Sequence, residues 1–372
     1  MLPIFNDQAL SHIKTAFRRT TVDLSKLLLA ALLLEGMLQV IAPDYRNNVF
    51  DREFTGGRPI AMSSAGNRGP LLPIQKPPGE VRILGMGDST TFGTGIGAED
   101  TWPAQLATVF QKNGAKATYI NSAIEGSTLK EINYVYRNQW SAYKPDVVVL
   151  AVDNNMVSMT WFRREDKGAP KNPYLEPAPQ SKLENLKNGL KQVTRVLASP
   201  SWLRINSQKC LYLLGLSNNN IKPDVPLGAT VASGWKQANV PPDLPERVWK
   251  QFEEDLSVLR DSVAADGRSL VVLYLPARFM AFDGFSDNEQ RVPKNRLTID
   301  AAKRLGEISQ SLGLPYLDGT EPVRRGRSQI AEKEGRSAPM YIKFDSVHLD
   351  KDGNQAVAEG LFELVSKSEK AR

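Results

Sequence analysis

The sequence is poor in the residues that most protein chemistry draws on. It holds one cysteine, Cys210, and two histidines, His12 and His348. A single cysteine excludes an intramolecular disulfide and any zinc site built on several thiolates. Set in the apolar stretch KCLYLLGL, it reads as a small buried hydrophobe. Two histidines leave little choice for base chemistry at neutral pH. Long runs of one charge are also missing. Lys and Arg number 47 against 41 Asp and Glu, a net charge of +6, and the signs are interspersed. With no basic stripe and no aromatic RNA-binding motif, a nucleic-acid partner is not expected. Nucleotide signatures fail as well. There is no G-x-x-x-x-G-K-[ST], and the G-x-G-x-x-G that begins at Gly85 and Gly87 meets Thr90 where its third glycine belongs. The G-x-S-x-G nucleophile elbow is absent too.

What is present begins with an apolar run near the N-terminus, LSKLLLAALLLEGMLQVIA, residues 24–42. About 20 residues of helix span a bilayer. Glu35 opposes insertion by roughly 2.5–3.5 kcal/mol, and the leucines roughly offset it. No small-residue cleavage site follows the run. A single-pass anchor over 23–42 is the expectation, with a cleaved signal or a soluble amphipathic helix as alternatives. Lys14, Arg18, Arg19 and Lys26 precede or flank it. By the positive-inside rule residues 1–22 would be a cytoplasmic tail and the body would face the periplasm or another extracytoplasmic space. Residues 43–79, punctuated by GGRP, SSAGNRGP and QKPPGE, read as a tether.

From residue 80 the pattern alternates strand and helix. EVRILGMG, ATYINSA, KPDVVVLAV, RSLVVLYLP and LPYLDG carry short continuous apolar runs, as strands buried on both faces do. Amphipathic segments separate them, and DGNQAVAEGLFELVSKS closes the chain as a helix. Such a sequence predicts an α/β fold, a parallel sheet of five strands with helices on both faces, over 80–368. An insertion over 160–242 interrupts the rhythm. Its Trp161, Phe162 and Trp202 are either a platform for a sugar ring or ordinary packing.

In an open parallel sheet, ligands bind outside the carboxyl ends of the strands. The residues found there are informative. Strand one runs into Gly87-Asp88-Ser89, strand two into Asn121-Ser-Ala-Ile-Glu-Gly126, strand three into Asp153-Asn154-Asn155. Before the last helix, YIKFDSVHLDKDG brings Asp345 and His348. Ser89, His348 and Asp345 are the parts of a nucleophilic triad: nucleophile, base and orienting carboxylate. The backbone N–H of Ser89, the N–H of Gly126 and the side-chain amide of Asn154 are candidate donors to an oxyanion. Each motif alone also has an ordinary reading as a turn or a cap.

In these residues the sequence resembles the SGNH (GDSL-type) hydrolases. GDST, NSAIEGST, AVDNNM and DSVH match the family's four blocks in order, with Ser89, Gly126, Asn154, and Asp345 with His348 at the matching positions. The resemblance covers about residues 80–366, apart from the insertion. It implies a three-layer α/β/α flavodoxin-like fold, ester hydrolysis or acyl transfer, and no cofactor or metal. One block departs from the pattern: the third usually reads G-x-N-D and here is Val152-Asp153-Asn154-Asn155. The order of apolar segment, tether and body is similar to membrane-bound bacterial members that act on acylated surface glycans. The expectation is a membrane-anchored esterase acting on an acylated, in first place acetylated, carbohydrate or another small ester. An O-acyltransferase with the same triad and a silent subunit of a membrane assembly are the alternatives. The resemblance identifies no protein partner.

Overall fold

The computed structural model describes residues 54–55, 58–60, 62–162, 243–283, 299–342, 345 and 347–370, and near the N-terminus residues 23, 25–26 and 29–37. The sheet comprises β1 (Glu80–Met86), β2 (Lys116–Asn121), β3 (Val147–Val152), β4 (Ser269–Tyr274) and β5 (Tyr316–Asp318). They lie side by side in the order β2-β1-β3-β4-β5, all parallel. This is the flavodoxin-like order of a doubly wound sheet. The chain reverses its direction of growth between β1 and β3, so a crevice opens at their carboxyl ends. The α/β expectation and the five-stranded sheet both hold.

The strands read as continuous apolar runs because both faces are covered. In β3, Val148, Leu150 and Val152 enter one core, whereas Val147, Val149 and Ala151 enter the other. The first face is covered by α3 (Leu129–Asn138), α4 (Asn154–Phe162), α5 (Leu244–Ala265) and α6 (Ala301–Ser311). The second is covered by α2 (Trp102–Lys112), α7 (Thr320–Glu334) and α8 (Lys351–Lys370). A short α1 (Ser89–Phe92) sits at the end of β1. Helix starts follow the local chemistry. α3 opens on a capping box in which Thr128 and Glu131 satisfy each other's backbone N–H groups. Along α5, Val248, Phe252, Leu256, Leu259 and Val263 are buried at the three- and four-residue spacing of one helical face.

Residues 62–79, expected as part of the tether, are fixed to the body instead: 62–69 pack on it, whereas 70–79 are mostly exposed and held by polar contacts. Asn67 and Arg68 are buried, and the Arg68 N–H donates to the Asn121 carbonyl at 2.8 Å. Lys76 pairs with Asp146, and the buried Arg82 guanidinium donates to the carbonyls of Pro73 at 2.9 Å and Tyr143 at 2.8 Å. The Pro, Gly and Ser content that suggested a tether belongs to a strap laid irregularly over the domain, so its polar groups are satisfied by local turns, isolated bridges and side chains rather than by a continuous ladder.

The expected anchor, 23–42, is described only in part. Among the described residues no helix is long and apolar enough to cross a membrane. Residues 29–37 are helical. Of the insertion over 160–242, all but 160–162 lies outside the described residues, and Trp202 with it. Trp161 packs against the α3–α6 core with the Arg247 guanidinium 5.4 Å from its ring centre, which favours the packing role for that residue.

Candidate active site

The site is built at the carboxyl edge of β1, β2 and β3. β1 ends and the chain turns at Gly87, where a side chain would collide with Thr91 and approach the Ala151 carbonyl to 3.0 Å. Asp88 follows as N-cap of α1, its carboxylate accepting from the Thr90 N–H at 3.1 Å and the Thr90 hydroxyl at 2.9 Å. Ser89 is thereby the first residue of a helix that starts at the sheet edge. α1 lasts one turn because Gly93 takes a left-handed conformation, φ +80°.

The loop after β2 is sewn to this turn. The Ser122 N–H and hydroxyl both donate to the Gly85 carbonyl, at 2.9 and 3.1 Å. The Ile124 N–H and the Ser127 hydroxyl donate to the Gly87 carbonyl, at 3.2 and 3.0 Å. Asn121 donates to the Thr91 carbonyl at 2.8 Å. Gly126 lies within this loop at φ +68°, and nothing described stands within 4 Å of where its Cβ would be. The glycine is therefore required by backbone conformation, and among the described residues the space beside it is open.

Across the edge, a loop held by the Tyr341–Leu349 bridge carries Asp345 and His348. Asp345 Oδ1 accepts the backbone N–H groups of Val347 and His348, at 2.7 and 3.0 Å. Its Oδ2 meets His348 Nδ1 at 2.7 Å. With one carboxylate oxygen fixed by backbone, the other aims the imidazole. His348 Nε2 then stands 3.0 Å from Ser89 Oγ. Three residues separated by 259 positions in sequence thus form one hydrogen-bonded line. The imidazole is 18% exposed and the Asp345 side chain 6%, so the base can be reached from outside while its orienting carboxylate is sheltered.

The electrostatics suit a base. Burial pulls the His348 pKa down, but the Asp345 carboxylate, by charge and hydrogen bond, and the nearby Asp88 charge more than reverse this, and the imidazole is held above its usual value. Burial pushes Asp345 up, and its contacts with His348 and the two backbone N–H groups outweigh that, leaving it below the usual carboxylate range. The signs fix a pH dependence. If His348 acts as the base, its neutral form is the competent one, and activity should fall as acid protonates it. The acid limb of kcat/KM for p-nitrophenyl acetate should have its midpoint above the ordinary histidine value of 6.5. A midpoint at or below 6.5 would contradict the arrangement. The raised pKa also means that the His348 contribution to stability is present below about pH 6.5 and fades as pH rises through the folded value, while the lowered Asp345 contributes above its unfolded value and is lost only in stronger acid.

Asn154 opens α4 directly after β3. Its Oδ1 accepts the Tyr274 hydroxyl at 3.2 Å. Tyr274 ends β4, is buried, and its phenol is pushed well above its usual pKa by burial, so it remains a donor. With the amide oxygen occupied, the Asn154 Nδ2 group has no acceptor among the described residues. Sequence reasoning missed Tyr274, because a tyrosine ending an apolar strand has no feature that separates it from core. Val152, whose bulk stood out in the altered third block, is fully buried in the core over β3. Asn155 reaches Asp88 Oδ2 at 3.5 Å.

The sequence profile of the GDSL-like lipase/acylhydrolase family matches residues 86–356. No curated protein matches the chain. Among solved structures, LAE5, an alpha/beta hydrolase enzyme from the metagenome of Lake Arreo, shares 13% identity, with 77% of this chain and 95% of that chain covered and a TM-score of 0.41. The acetyl xylan esterase AlAXEase shares 14% identity over 77% of this chain and 100% of that chain, TM-score 0.40. A catalytic mutant of Axe2, an acetylxylan esterase from Geobacillus stearothermophilus, shares 13% identity over 76% and 93% of the two chains, TM-score 0.40. The profile runs from the end of β1, just before Ser89, to α8, just past His348, and takes in most of the 372 residues: the chain belongs to the GDSL-like lipase/acylhydrolase family.

Proposed function

We propose that the protein is a serine esterase in which Ser89 is the nucleophile, His348 the general base and acid, and Asp345 the group that orients and stabilises the imidazole. The observation that carries this reading is the continuous line Asp345–His348–Ser89, at 2.7 and 3.0 Å. In the first step Ser89 Oγ attacks the acyl carbonyl and its proton passes to His348 Nε2. The carbonyl oxygen becomes an oxyanion, for which the Ser89 N–H, the Gly126 N–H and the Asn154 Nδ2 group are the assigned donors. Collapse of the tetrahedral intermediate expels the alcohol, which takes the proton from His348. Water then repeats the sequence on the acyl-enzyme and releases the carboxylic acid and free Ser89.

The substrate class is an acyl ester. An acetylated carbohydrate outside the cytoplasmic membrane is our specific proposal, and the apolar N-terminal segment ahead of the body supports that location. In residues 29–37, Leu29, Leu32, Leu33 and Met37 are 51–66% exposed, whereas Glu35 is buried. The helix therefore presents an apolar face outward, as an anchor over 23–42 requires.

The test is hydrolysis of p-nitrophenyl acetate by the full-length chain. Replacement Asn154→Ala should lower kcat by about 10²–10³, the effect of removing one oxyanion donor, with little change in KM. A kcat within about threefold of wild type would remove Asn154 from the hole, since donors acting only on the transition state appear in kcat.

A further inference from the structure

Two strands of the sheet end alike. β1 runs into Asp88 and the neighbouring β3 into Asp153. β1 and β3 are neighbours in the sheet, with Met86 opposite Leu150, so both aspartates lie just past the carboxyl ends of adjacent strands. Each caps a helix. Asp88 receives Thr90 at the start of α1, and Asp153 Oδ1 accepts the Met156 N–H at 2.8 Å at the start of α4. Asp88 is fully buried and Asp153 is 3% exposed. Their second oxygens differ. Asp88 Oδ2 has the Asn155 amide at 3.5 Å. Asp153 Oδ2 is enclosed and has no hydrogen-bond partner among the described residues, and the Asp88 carboxyl is its neighbouring acidic group.

Two ionised carboxylates cannot share such a place cheaply, because both lose water and each repels the other. An ionised Asp153 would also leave Oδ2 bare. A protonated Asp153 turns the same oxygen into a donor aimed at Asp88. Burial and the Asp88 charge hold the Asp153 carboxyl well above the usual carboxylate range, against the Met156 N–H and His348, which pull it down. The other ionisable group facing it is the Tyr274 phenol on β4, which stays neutral.

We propose that Asp153 and Asp88 hold one proton between them, Asp153 the donor and Asp88 the acceptor, and that this bond locks the nucleophile turn to the Asn154 turn. The inference rests on the roles given above to Ser89 and Asn154, since Ser89 follows one cap and Asn154 the other. It has a second consequence. Only one negative charge, not two, lies beneath His348 beyond its Asp345 partner. An ionised Asp153 is one of the charges that raise the imidazole; protonated, it leaves that effect to Asp345 and Asp88, and the base is freed of its proton at lower pH. Asp153 is thus a positioning residue.

Asp153→Asn separates the possibilities. The amide replaces the O–H donor and keeps an oxygen for the Met156 N–H. In the full-length chain this variant should retain kcat within about threefold, whereas Asp153→Ala should lose roughly 10–100-fold in kcat with KM nearly unchanged. The acid limb should not move in Asp153→Asn, because a neutral group replaces a neutral group. At neutral pH the infrared spectrum should contain a protonated-carboxyl band that is present in wild type and in Ser89→Ala and absent from Asp153→Asn. Loss of no such band, an acid limb that falls in Asp153→Asn, or equal damage from Asn and Ala would each overturn the proposal. If Asp153→Ala does not fold, the band and the Asn variant still decide. The band is read independently of turnover, so it stands even if Ser89→Ala were to remain active and the triad reading failed.

Discussion

Ser89→Ala in the full-length chain is expected to hydrolyse p-nitrophenyl acetate on the order of 10⁴–10⁶ times more slowly than wild type, and His348→Ala should fall by a similar factor. The two losses have one origin. The Ser89 hydroxyl is a weak nucleophile until its proton has somewhere to go, and the structure offers His348 Nε2 at 3.0 Å. Without His348 the hydroxyl remains, but no base among its described hydrogen-bond partners replaces it. Without Ser89 the base has no nucleophile to activate. Residues that act as a unit are grossly non-additive, so the double variant should be no slower than the worse single one. Losses that multiply would show that the two side chains act separately.

The second large effect is on stability. Arg68→Met is expected to destabilise the fold by roughly 3 kcal/mol, lowering Tm by about 6–12 °C. Arg68 is 1% exposed. Its guanidinium donates to the carbonyls of Phe92, Gly93 and Ile96 and lies 4.7 Å from the centre of the Phe92 ring. The Phe92 and Gly93 carbonyls lie at the C-terminal end of α1, where the helix leaves its last acceptors unsatisfied, and the Ile96 carbonyl lies in the loop that follows. Methionine keeps the stem but strands the buried acceptors, each about 1–3 kcal/mol when unpaired. Lysine should not rescue fully, since one ammonium cannot reproduce the planar fork. Because α1 begins at Ser89, Arg68→Met should also lower kcat more than it raises KM. A thermal midpoint within about 1 °C of wild type would mean that the clamp does not hold the loop.

Arg68 also marks where the sequence stops being readable. The strands were legible because burial on both faces leaves only apolar residues, as in VVVLAV. The Asp345–His348–Ser89 line was legible because a scarce residue, His348, stood at an expected sheet edge beside Asp345. A buried arginine has no such signature. In SSAGNRGP it looks like any solvated charge of a tether, and its burial depends on carbonyls from a loop 24–28 residues away. Helix α7 was hidden for a different reason. Its buried residues are Pro322, Val323 and Gly326, and Gly326 sits so close to α8 that a Cβ would come within 2.6 Å of Ala356. Packing through small residues leaves no apolar period to detect. Asp153 carried a signal, an aspartate in the altered third block, but its meaning required knowing that β1 and β3 are neighbours.

The central claim is that Ser89 is the nucleophile and that His348 activates it. Labelling by a fluorophosphonate, mapped by peptide mass on the full-length chain, tests it most directly. The account predicts a single modification at Ser89 in the wild type, blocked in Ser89→Ala and slowed to near the uncatalysed rate in His348→Ala. A chain that hydrolyses p-nitrophenyl acetate while the label falls on another residue, or one labelled at Ser89 equally fast without His348, would contradict it.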